Sequence, residues 1–199
     1  WRIARPASTP GRSMWRSSAL NTQRNLRSLQ RAWRTGIVAV CLTAALQAHA
    51  GPLPQLSGFT TVGSGTLRYF GLRIYDATLW SPGGAWSAGK PYALVLRYAR
   101  RFEGAAIARR SIEEMRAQRA HPTATLARWE TQMRALFPAV EPGDRLTGVR
   151  IPGAGAAFYS GTKKLGQIDD EAFAEAFFGI WLDPASSAPE LRNRLLGAS

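Results

Sequence analysis

The stretch from Val62 to Trp80 reads VGSGTLRYFGLRIYDATLW, and the predicted fold depends on the turn at its centre. Apolar and polar residues alternate on both sides of Phe70-Gly71, and alternation interrupted by a glycine turn is typical of a β-hairpin. If the loop consists of these two residues alone, position 68 pairs with position 73 and position 66 pairs with position 75. The pairing depends on the loop length, because a slip of one residue moves every side chain to the opposite face.

The predicted pairing sorts the side chains of this hairpin onto two faces. One face carries Thr66, Arg68, Arg73 and Tyr75, and the other carries Leu67, Tyr69, Leu72 and Ile74. The apolar face can close a hydrophobic core, while the polar face brings two guanidinium groups close to a phenol. An ordinary solvated sheet face would show the same alternation, so periodicity alone does not establish a ligand site.

The net charge of +13 is unevenly distributed over the 199 residues. Residues 1–50 contain eight of the 26 basic residues and no acid, so residues 51–199 hold 18 basic residues against all 13 acids. That part of the chain therefore carries +5. It contains no basic run interleaved with aromatic residues, which is the pattern of a nucleic-acid-binding surface. The charge predicts a solvated surface and no nucleic-acid partner.

Residues 1–50 have the pattern of an N-terminal extension with a cleavable signal peptide. Arginines precede the apolar run TGIVAVCLTAAL at residues 35–46, and Ala48-His49-Ala50 provides a small-x-small cleavage site. The run is shorter than the roughly 20 residues that span a bilayer, so no permanent membrane helix is expected. We expect translation to start at Met14 and cleavage near Ala50 to release a periplasmic or secreted protein. A mitochondrial transit peptide is an alternative that the apolar run disfavours.

The single cysteine, Cys41, lies inside this apolar run. Residues 51–199 therefore have no thiol for a disulfide, a metal site or nucleophilic catalysis, and the sequence predicts neither a metal nor a cofactor. A chain of this length can form one domain that is held together by core packing alone.

Further periodic patterns predict ten elements in the order β-β-β-α-α-β-β-β-α-α. After the hairpin, strands are expected at residues 92–100, 145–151, 155–159 and 165–168, and helices after Gly104, Pro122, Asp169-Asp170-Glu171 and Ser187. Antiparallel strands with helices packed on one side give an α+β domain.

Charged residues on the predicted helices have structural interpretations. On the first helix, Arg109 and Arg110 lie one turn before Glu113 and Glu114, opposite the apolar stripe, which is typical of a solvated face. The segment Ser187-Ala188-Pro189-Glu190 has the pattern of a capping box. Neither feature indicates catalysis.

Motifs for common enzyme chemistry are absent from the sequence. It contains no Gly-rich phosphate loop, no GxSxG and no HExxH. His121 precedes a proline at a predicted helix start, where a helix-entry role is more common than general-base catalysis. Asp169 and Asp170 are adjacent and are expected to cap a helix rather than form an acid–base pair.

Five blocks of the sequence resemble the bacterial chalcone isomerase-like proteins. They are VGSGTLRYFGLRIYDATLW, FEGAAIARRSIEEMR, GDRLTGV, AAFYSG and FAEAFFGIWLDP, in this order over about residues 58–197. The resemblance implies an open-faced antiparallel β-sandwich backed by helices, with a ligand cleft between the two layers. This fold agrees with the element order read from the periodicity.

The resemblance does not imply the catalytic residues of the true isomerases. Their tyrosine falls at Ile107, their lysine near Val95, their asparagine near Glu114 and their threonine at Tyr75. Isoleucine and valine cannot transfer a proton or orient a water molecule, so the original acid–base chemistry is not expected.

Fatty-acid-binding relatives of the family suggest a different role, in which an arginine and a tyrosine hold a carboxylate. Here Arg68 follows Gly63-Ser64-Gly65-Thr66 by one more position than in those relatives. A guanidinium binds a carboxylate through two hydrogen bonds, and a phenol adds one more donor. We therefore predict Arg68 and Tyr75 as ligand-binding residues, with Arg73 as the next candidate.

Three functional hypotheses follow from the sequence. The first is a non-catalytic periplasmic protein that binds a fatty acid or similar acidic amphiphile in an apolar cleft. The second is an isomerase or lyase with a rebuilt active site, and the third is an interaction module of the cell envelope without a small ligand.

Overall fold

A computed structural model describes residues 56–198, and their ten elements follow the predicted order. The strands are β1 (Phe59–Tyr69), β2 (Leu72–Pro82), β3 (Tyr92–Tyr98), β4 (Arg145–Ile151), β5 (Gly155–Ser160) and β6 (Lys163–Ile168). The helices are α1 (Gly104–Gln118), α2 (Thr123–Leu136), α3 (Glu171–Leu182) and α4 (Pro189–Leu195). The predicted signal peptide over residues 1–50 lies outside the described residues.

The six strands form one antiparallel sheet in which each strand pairs with the next along the chain. Alternate side chains of β3, such as Leu94 and Leu96, join Ile112 of α1 and Phe177 of α3 in the main hydrophobic core. The helices thus cover one face of the sheet. The prediction of an α+β fold with an open-faced antiparallel sheet backed by helices is confirmed.

The turn between β1 and β2 consists of Phe70 and Gly71, as predicted. Both residues have positive φ angles, 46° and 76° respectively. Two consecutive residues with positive φ form a type I′ turn, whose twist matches that of the flanking strands. Arg68 pairs with Arg73 across this turn, so the predicted register is confirmed at this position.

The predicted pairing of position 66 with position 75 is wrong, because the register shifts at Ile74. Leu67 pairs with Tyr75, and Thr66 pairs with Asp76. One residue of β2 is therefore extra, which is the property of a β-bulge. The alternation between the two faces of β2 changes phase at this point.

The phase change decides which residues of β2 face the helices. Beyond the bulge, Tyr75, Ala77 and Leu79 belong to or pack against the core, so Asp76 between them lies on the opposite face. The predicted polar face, with Tyr75 beside Thr66 and Arg73, is consequently divided between the two sides of the sheet.

The two predicted helix caps have different outcomes. Asp170 caps α3 as predicted, since its carboxylate accepts a hydrogen bond of 3.0 Å from the backbone N–H of Phe173. The capping box at Ser187 is wrong, because Ala188 is the N-cap of α4 and no side chain caps that helix. The Ser187 hydroxyl instead donates a 2.8 Å hydrogen bond to Glu114 of α1. A distant partner has replaced the local one.

Helix α4 packs directly on the backbone of β1. A Cβ atom added at Gly63 would lie 2.1 Å from the carbonyl oxygen of Arg194, so only glycine permits this close approach.

Among residues 56–198, no helix is both long and apolar enough to cross a membrane.

Candidate ligand-binding site

A cavity of about 970 Å³ lies between the sheet and the helices. Apolar and aromatic side chains form most of its wall, including Leu94, Leu96, Phe158, Phe177 and Ile180. Small-molecule sites commonly have volumes of roughly 300–1,000 Å³ and mostly apolar walls with a few polar groups. The cavity matches this description at the upper end of the size range.

Tyr75 of β2 and Trp181 of α3 connect the two layers at the cavity wall. The indole Nε1–H of Trp181 donates a hydrogen bond of 2.9 Å to the hydroxyl oxygen of Tyr75. Burial raises the pKa of Tyr75, and nearby Glu114 adds to this effect, although the hydrogen bond from Trp181 opposes it. Tyr75 is therefore a neutral phenol at physiological pH, and its own hydrogen can be donated to another acceptor.

Tyr98 of β3 provides a second phenol in the same cavity. Its ring meets that of Tyr75 edge to face, with ring centroids 5.8 Å apart. Burial, and to a smaller extent Tyr75, raises the pKa of Tyr98. The Tyr98 hydroxyl has no hydrogen-bond partner within residues 56–198. Both phenols can thus donate to an acceptor on a bound molecule.

Glu114 of α1 is buried, which corrects the prediction that it lies on a solvated helix face. It lines the cavity and accepts hydrogen bonds from the Arg110 guanidinium and from the hydroxyl of Ser187. The predicted Arg110–Glu114 ion pair is confirmed, but Glu113 pairs with Arg110, at 3.2 Å, rather than with Arg109. The carboxylate is held by two donors beside the apolar wall.

The two arginines of the hairpin are cross-strand neighbours with different side-chain partners. Arg68 lines the cavity, and its Nη1 lies 3.4 Å from the carbonyl oxygen of Gly71. In the described part of the chain, Arg68 forms no ion pair. Arg73 does not line the cavity, and its guanidinium forms a two-point ion pair with Asp76.

The three predicted site residues are therefore only partly brought together. Arg68 and Tyr75 line one cavity, whereas Arg73 lies outside it. That Arg68 and Tyr75 hold a ligand stays a prediction. The bulge at Ile74 turns Tyr75 toward the helices and leaves the pairing of Arg68 with Arg73 unchanged.

Two positions that the resemblance assigned to proton-handling residues of the isomerases hold apolar side chains. Ile107 of α1 lines the cavity. Val95 of β3 packs against a small second cluster that contains Ala93, away from the main core. Neither side chain can exchange a proton with a molecule in the cavity.

Sequence reasoning missed Glu114 and Trp181 as cavity residues. Glu114 follows Ile107 by seven residues, which is two helical turns, so both residues lie on one face of α1. This spacing was a usable signal. Trp181 belongs to an aromatic stripe that predicts a core helix, and nothing in the stripe distinguishes the indole that reaches Tyr75.

Histidine, cysteine, aspartate and glutamate side chains do not gather into a metal-binding group anywhere in residues 56–198. The polar part of the cavity includes phenol, indole, guanidinium and hydroxyl groups and the carboxylates of Glu114 and Glu190. These groups suit hydrogen bonding to an organic ligand.

Comparisons with known proteins agree with this architecture. The crystal structure of an Arabidopsis thaliana fatty-acid binding protein superposes with a TM-score of 0.56 and 9% identity, over 73% of this chain and 90% of that one. An uncharacterized protein of Haemophilus influenzae is 29% identical over 137 residues, which are 68% of this chain and 67% of that protein. The family model described as chalcone isomerase-like matches residues 59–197. The chain belongs to the chalcone isomerase-like family.

Proposed function

We propose that the protein binds a fatty acid or a similar acidic amphiphile in the cavity, without converting it. The observation that best supports this proposal is the Tyr75–Trp181 hydrogen bond in a mostly apolar wall. Because Trp181 is the donor, the Tyr75 hydroxyl directs its own hydrogen toward an acceptor. A carboxylate is such an acceptor, and an alkyl tail fits the remaining apolar surface.

Arg68 supplies the positive charge that an acidic head group requires. It lines the same cavity as Tyr75 and has no ion-pair partner in residues 56–198. Hydrogen bonds to charged groups are stronger than those between neutral groups. The similarity to a fatty-acid binding protein concerns the fold, and it supports a cavity of this general kind.

A second candidate function, isomerisation or elimination with a rebuilt active site, has one observation in its favour. Glu114 and Tyr75 line the same cavity and could act as base and acid. However, Glu114 accepts hydrogen bonds from Arg110 and Ser187, which hold it in place and occupy both its oxygens. We therefore rank this function below binding.

Calorimetric titration of the purified protein with laurate tests the proposal. Dodecanol has the same chain length without the carboxylate and is the matched control. We expect saturable binding of laurate that is at least about tenfold tighter than that of dodecanol, since one charge-assisted hydrogen bond has this magnitude. Equal affinity for the two molecules, or no binding of either, would overturn the proposal.

Native mass spectrometry of protein purified from its own cell envelope identifies any natural ligand. A co-purifying acidic lipid is the expected result. An empty protein with a stable protein partner would instead favour an envelope interaction module.

Export to the periplasm or cell exterior is part of the proposed function. The support is the sequence pattern of residues 1–50, which ends at Ala48-His49-Ala50. N-terminal sequencing of the protein in the envelope fraction should give Gly51 as the first residue. Uncleaved protein in the cytoplasm would contradict export.

A further inference from the structure

The tip of the β1–β2 hairpin, residues Tyr69–Leu72, exposes apolar side chains. Tyr69, Phe70 and Leu72 have exposed fractions of 62%, 87% and 49%, and they are the exposed large hydrophobic residues of the described range 56–198. Their concentration in one turn differs from the single scattered apolar residues of ordinary protein surfaces.

Phe70 is an unfavourable residue for the turn that it occupies. Its φ of 46° lies in the left-handed region, which is uncommon for a bulky side chain. Asparagine or glycine would satisfy a type I′ turn better. Local backbone preference and solvation therefore both oppose phenylalanine here, so neither accounts for its presence.

Basic residues lie at the same end of the sheet as the hairpin tip, spread from β1 to the opposite edge strand β6. The antiparallel pairing places the start of β2, the end of β3, the start of β4 and the β5–β6 turn at this end. We define the basic rim as Arg68, Arg100, Arg145, Lys163 and Lys164. Within residues 56–198, none of these five side chains forms an ion pair.

The acids at this end of the sheet do not neutralise the basic rim. Asp76 pairs with Arg73, and both Glu103 and Glu141 pair with Arg101. Neither of these two arginines belongs to the basic rim. Asp144 accepts a hydrogen bond from the backbone N–H of Glu141, and Glu190 at the start of α4 forms no ion pair within residues 56–198. This end of the sheet consequently carries an excess of positive charge without ion-pair partners in residues 56–198, together with the apolar hairpin tip at one edge.

The cavity extends to this end of the molecule. Tyr69 of the hairpin tip lines the cavity, as do Arg68 and Ile74 close to the tip on β1 and β2. Phe70 does not line the cavity, which allows the surface to be altered separately from the binding site.

We propose that the hairpin tip and basic rim dock the protein on an anionic lipid bilayer, with Phe70 inserted at the interface. Exposed aromatic and aliphatic side chains enter the boundary between head groups and acyl chains, and nearby lysines and arginines attract anionic lipids. Docking in this orientation faces the cavity toward the source of an amphiphilic ligand. The docking surface stands without the proposed fatty-acid binding, because Arg68 is the one side chain assigned to both.

Sedimentation with vesicles in the absence of fatty acid tests docking. The full protein is mixed with vesicles of phosphatidylcholine alone, or of equal parts phosphatidylcholine and phosphatidylglycerol. We expect tighter binding to the mixed vesicles and a marked loss of that preference in high salt, because salt screens surface charge. Absence of binding to the mixed vesicles would overturn the proposal.

Phe70→Asn separates docking from folding. It creates the favoured Asn-Gly type I′ turn, so thermal stability should be equal to or above that of the parent. Loss of one inserted phenylalanine should weaken vesicle binding by about 10- to 100-fold. Phe70→Trp is the matched control and should retain binding. Unchanged vesicle binding by Phe70→Asn would show that the tip does not insert.

Charge substitution tests the basic rim. The double variant Lys163→Gln, Lys164→Gln removes two positive charges from the basic rim. Because each basic residue near an anionic bilayer contributes to the binding, the variant should bind the mixed vesicles about 10- to 30-fold more weakly. Light scattering tests whether the hairpin tip instead mediates self-association. The proposal would be overturned if the parent protein formed a dimer that Phe70→Asn abolishes and did not bind vesicles. Laurate affinity of Phe70→Asn should stay unchanged, so failure of docking and failure of ligand binding are distinguishable.

Discussion

The two ends of the sheet use charge in opposite ways. At the end near α3, Arg150 of β4 is only 4% exposed, and its Nη1 donates a 2.6 Å hydrogen bond to Glu171. Glu171 also accepts from the backbone N–H of Gly153, at 3.1 Å. At the hairpin end, Arg68 and the other cations of the basic rim have no ion-pair partner in residues 56–198. Charge at one end fixes the fold, and charge at the other end is free to contact something else.

Breaking the ion pair between Arg150 and Glu171 should have the largest effect on the stability of the protein. Glu171→Gln leaves the guanidinium of Arg150 buried with a neutral partner. Loss of one member of a fully buried pair costs about 3–5 kcal/mol, and the partial exposure of Glu171 reduces the expected loss of unfolding free energy to about 2–3 kcal/mol. Urea denaturation provides the measurement. Arg134→Gln, which removes an exposed 3.8 Å pair with Glu130, should change stability little.

The pH dependence of unfolding should identify the same pair. The Arg150 guanidinium, chiefly through its hydrogen bonds, lowers the pKa of Glu171. A lowered pKa means that the stabilisation is fully present above the ordinary pKa of a glutamate and disappears as pH falls through the folded-state value. The difference in unfolding free energy between parent and Glu171→Gln should therefore shrink in acid. A constant difference down to low pH would exclude this assignment.

At the hairpin end, Arg68→Ala should affect ligand binding rather than stability. Loss of a charge-assisted interaction is expected to weaken laurate binding by about 10- to 100-fold. Arg116→Ala, an exposed change of equal charge on α1, controls for long-range electrostatics. Arg73→Ala should have a smaller effect than Arg68→Ala, since Arg73 already pairs with Asp76. The reverse ranking would make Arg73 the anchor.

Tyr75→Phe should have a smaller effect than the loss of Arg68. The variant keeps the ring in the wall and removes one neutral donor, which is worth about 0.5–1.5 kcal/mol, or up to roughly tenfold in affinity. It also leaves the Nε1–H of Trp181 without its acceptor, so Trp181 fluorescence should change in the unliganded protein. An affinity loss equal to that of Arg68→Ala would indicate that the phenol is the principal contact.

We expect the protein not to catalyse chalcone cyclisation. Ile107 and Val95 occupy the positions of proton-handling residues, and enzymes commonly accelerate their reactions by at least about 10⁶-fold. A spectrophotometric assay should therefore show only the spontaneous rate. Turnover clearly above that rate, and lost in Glu114→Gln, would establish a rebuilt active site.

The order of elements could be predicted from the sequence because each element has a strong period. The predicted strand at residues 145–151 coincides with β4, and α2 begins directly after Pro122 as predicted, with Leu126, Trp129 and Met133 buried. These patterns arise from burial on one face, which leaves a direct trace in the sequence.

The bulge in β2 was harder to predict, although it leaves a trace. Apolar residues occupy positions 72 and 74 and then 75, 77 and 79, so the alternation changes phase between Ile74 and Tyr75. A fixed two-residue period conceals this change. The error mattered for the site, because the phase decides whether Tyr75 faces the helices.

Other features of the site depend on contacts that no local pattern encodes. Ser187 and Glu190 have a capping-box spacing, yet Ser187 binds Glu114, 73 positions away in sequence. Trp181 binds Tyr75 across 106 positions. Such pairs form only after the helices pack on the sheet, so spacing within one helix could not reveal them.

The sequence order of the strands has a consequence for how quickly the domain forms. Because every strand pairs with its neighbour in the chain, no strand has to insert between two that are already joined. Only the β3–β4 connection is long, and α1 and α2 occupy it. Contacts between sequence neighbours close short loops, which lowers the entropic barrier and speeds folding. Among the strand pairings of residues 56–198, that of β4 with β3 across the two helices closes the longest loop.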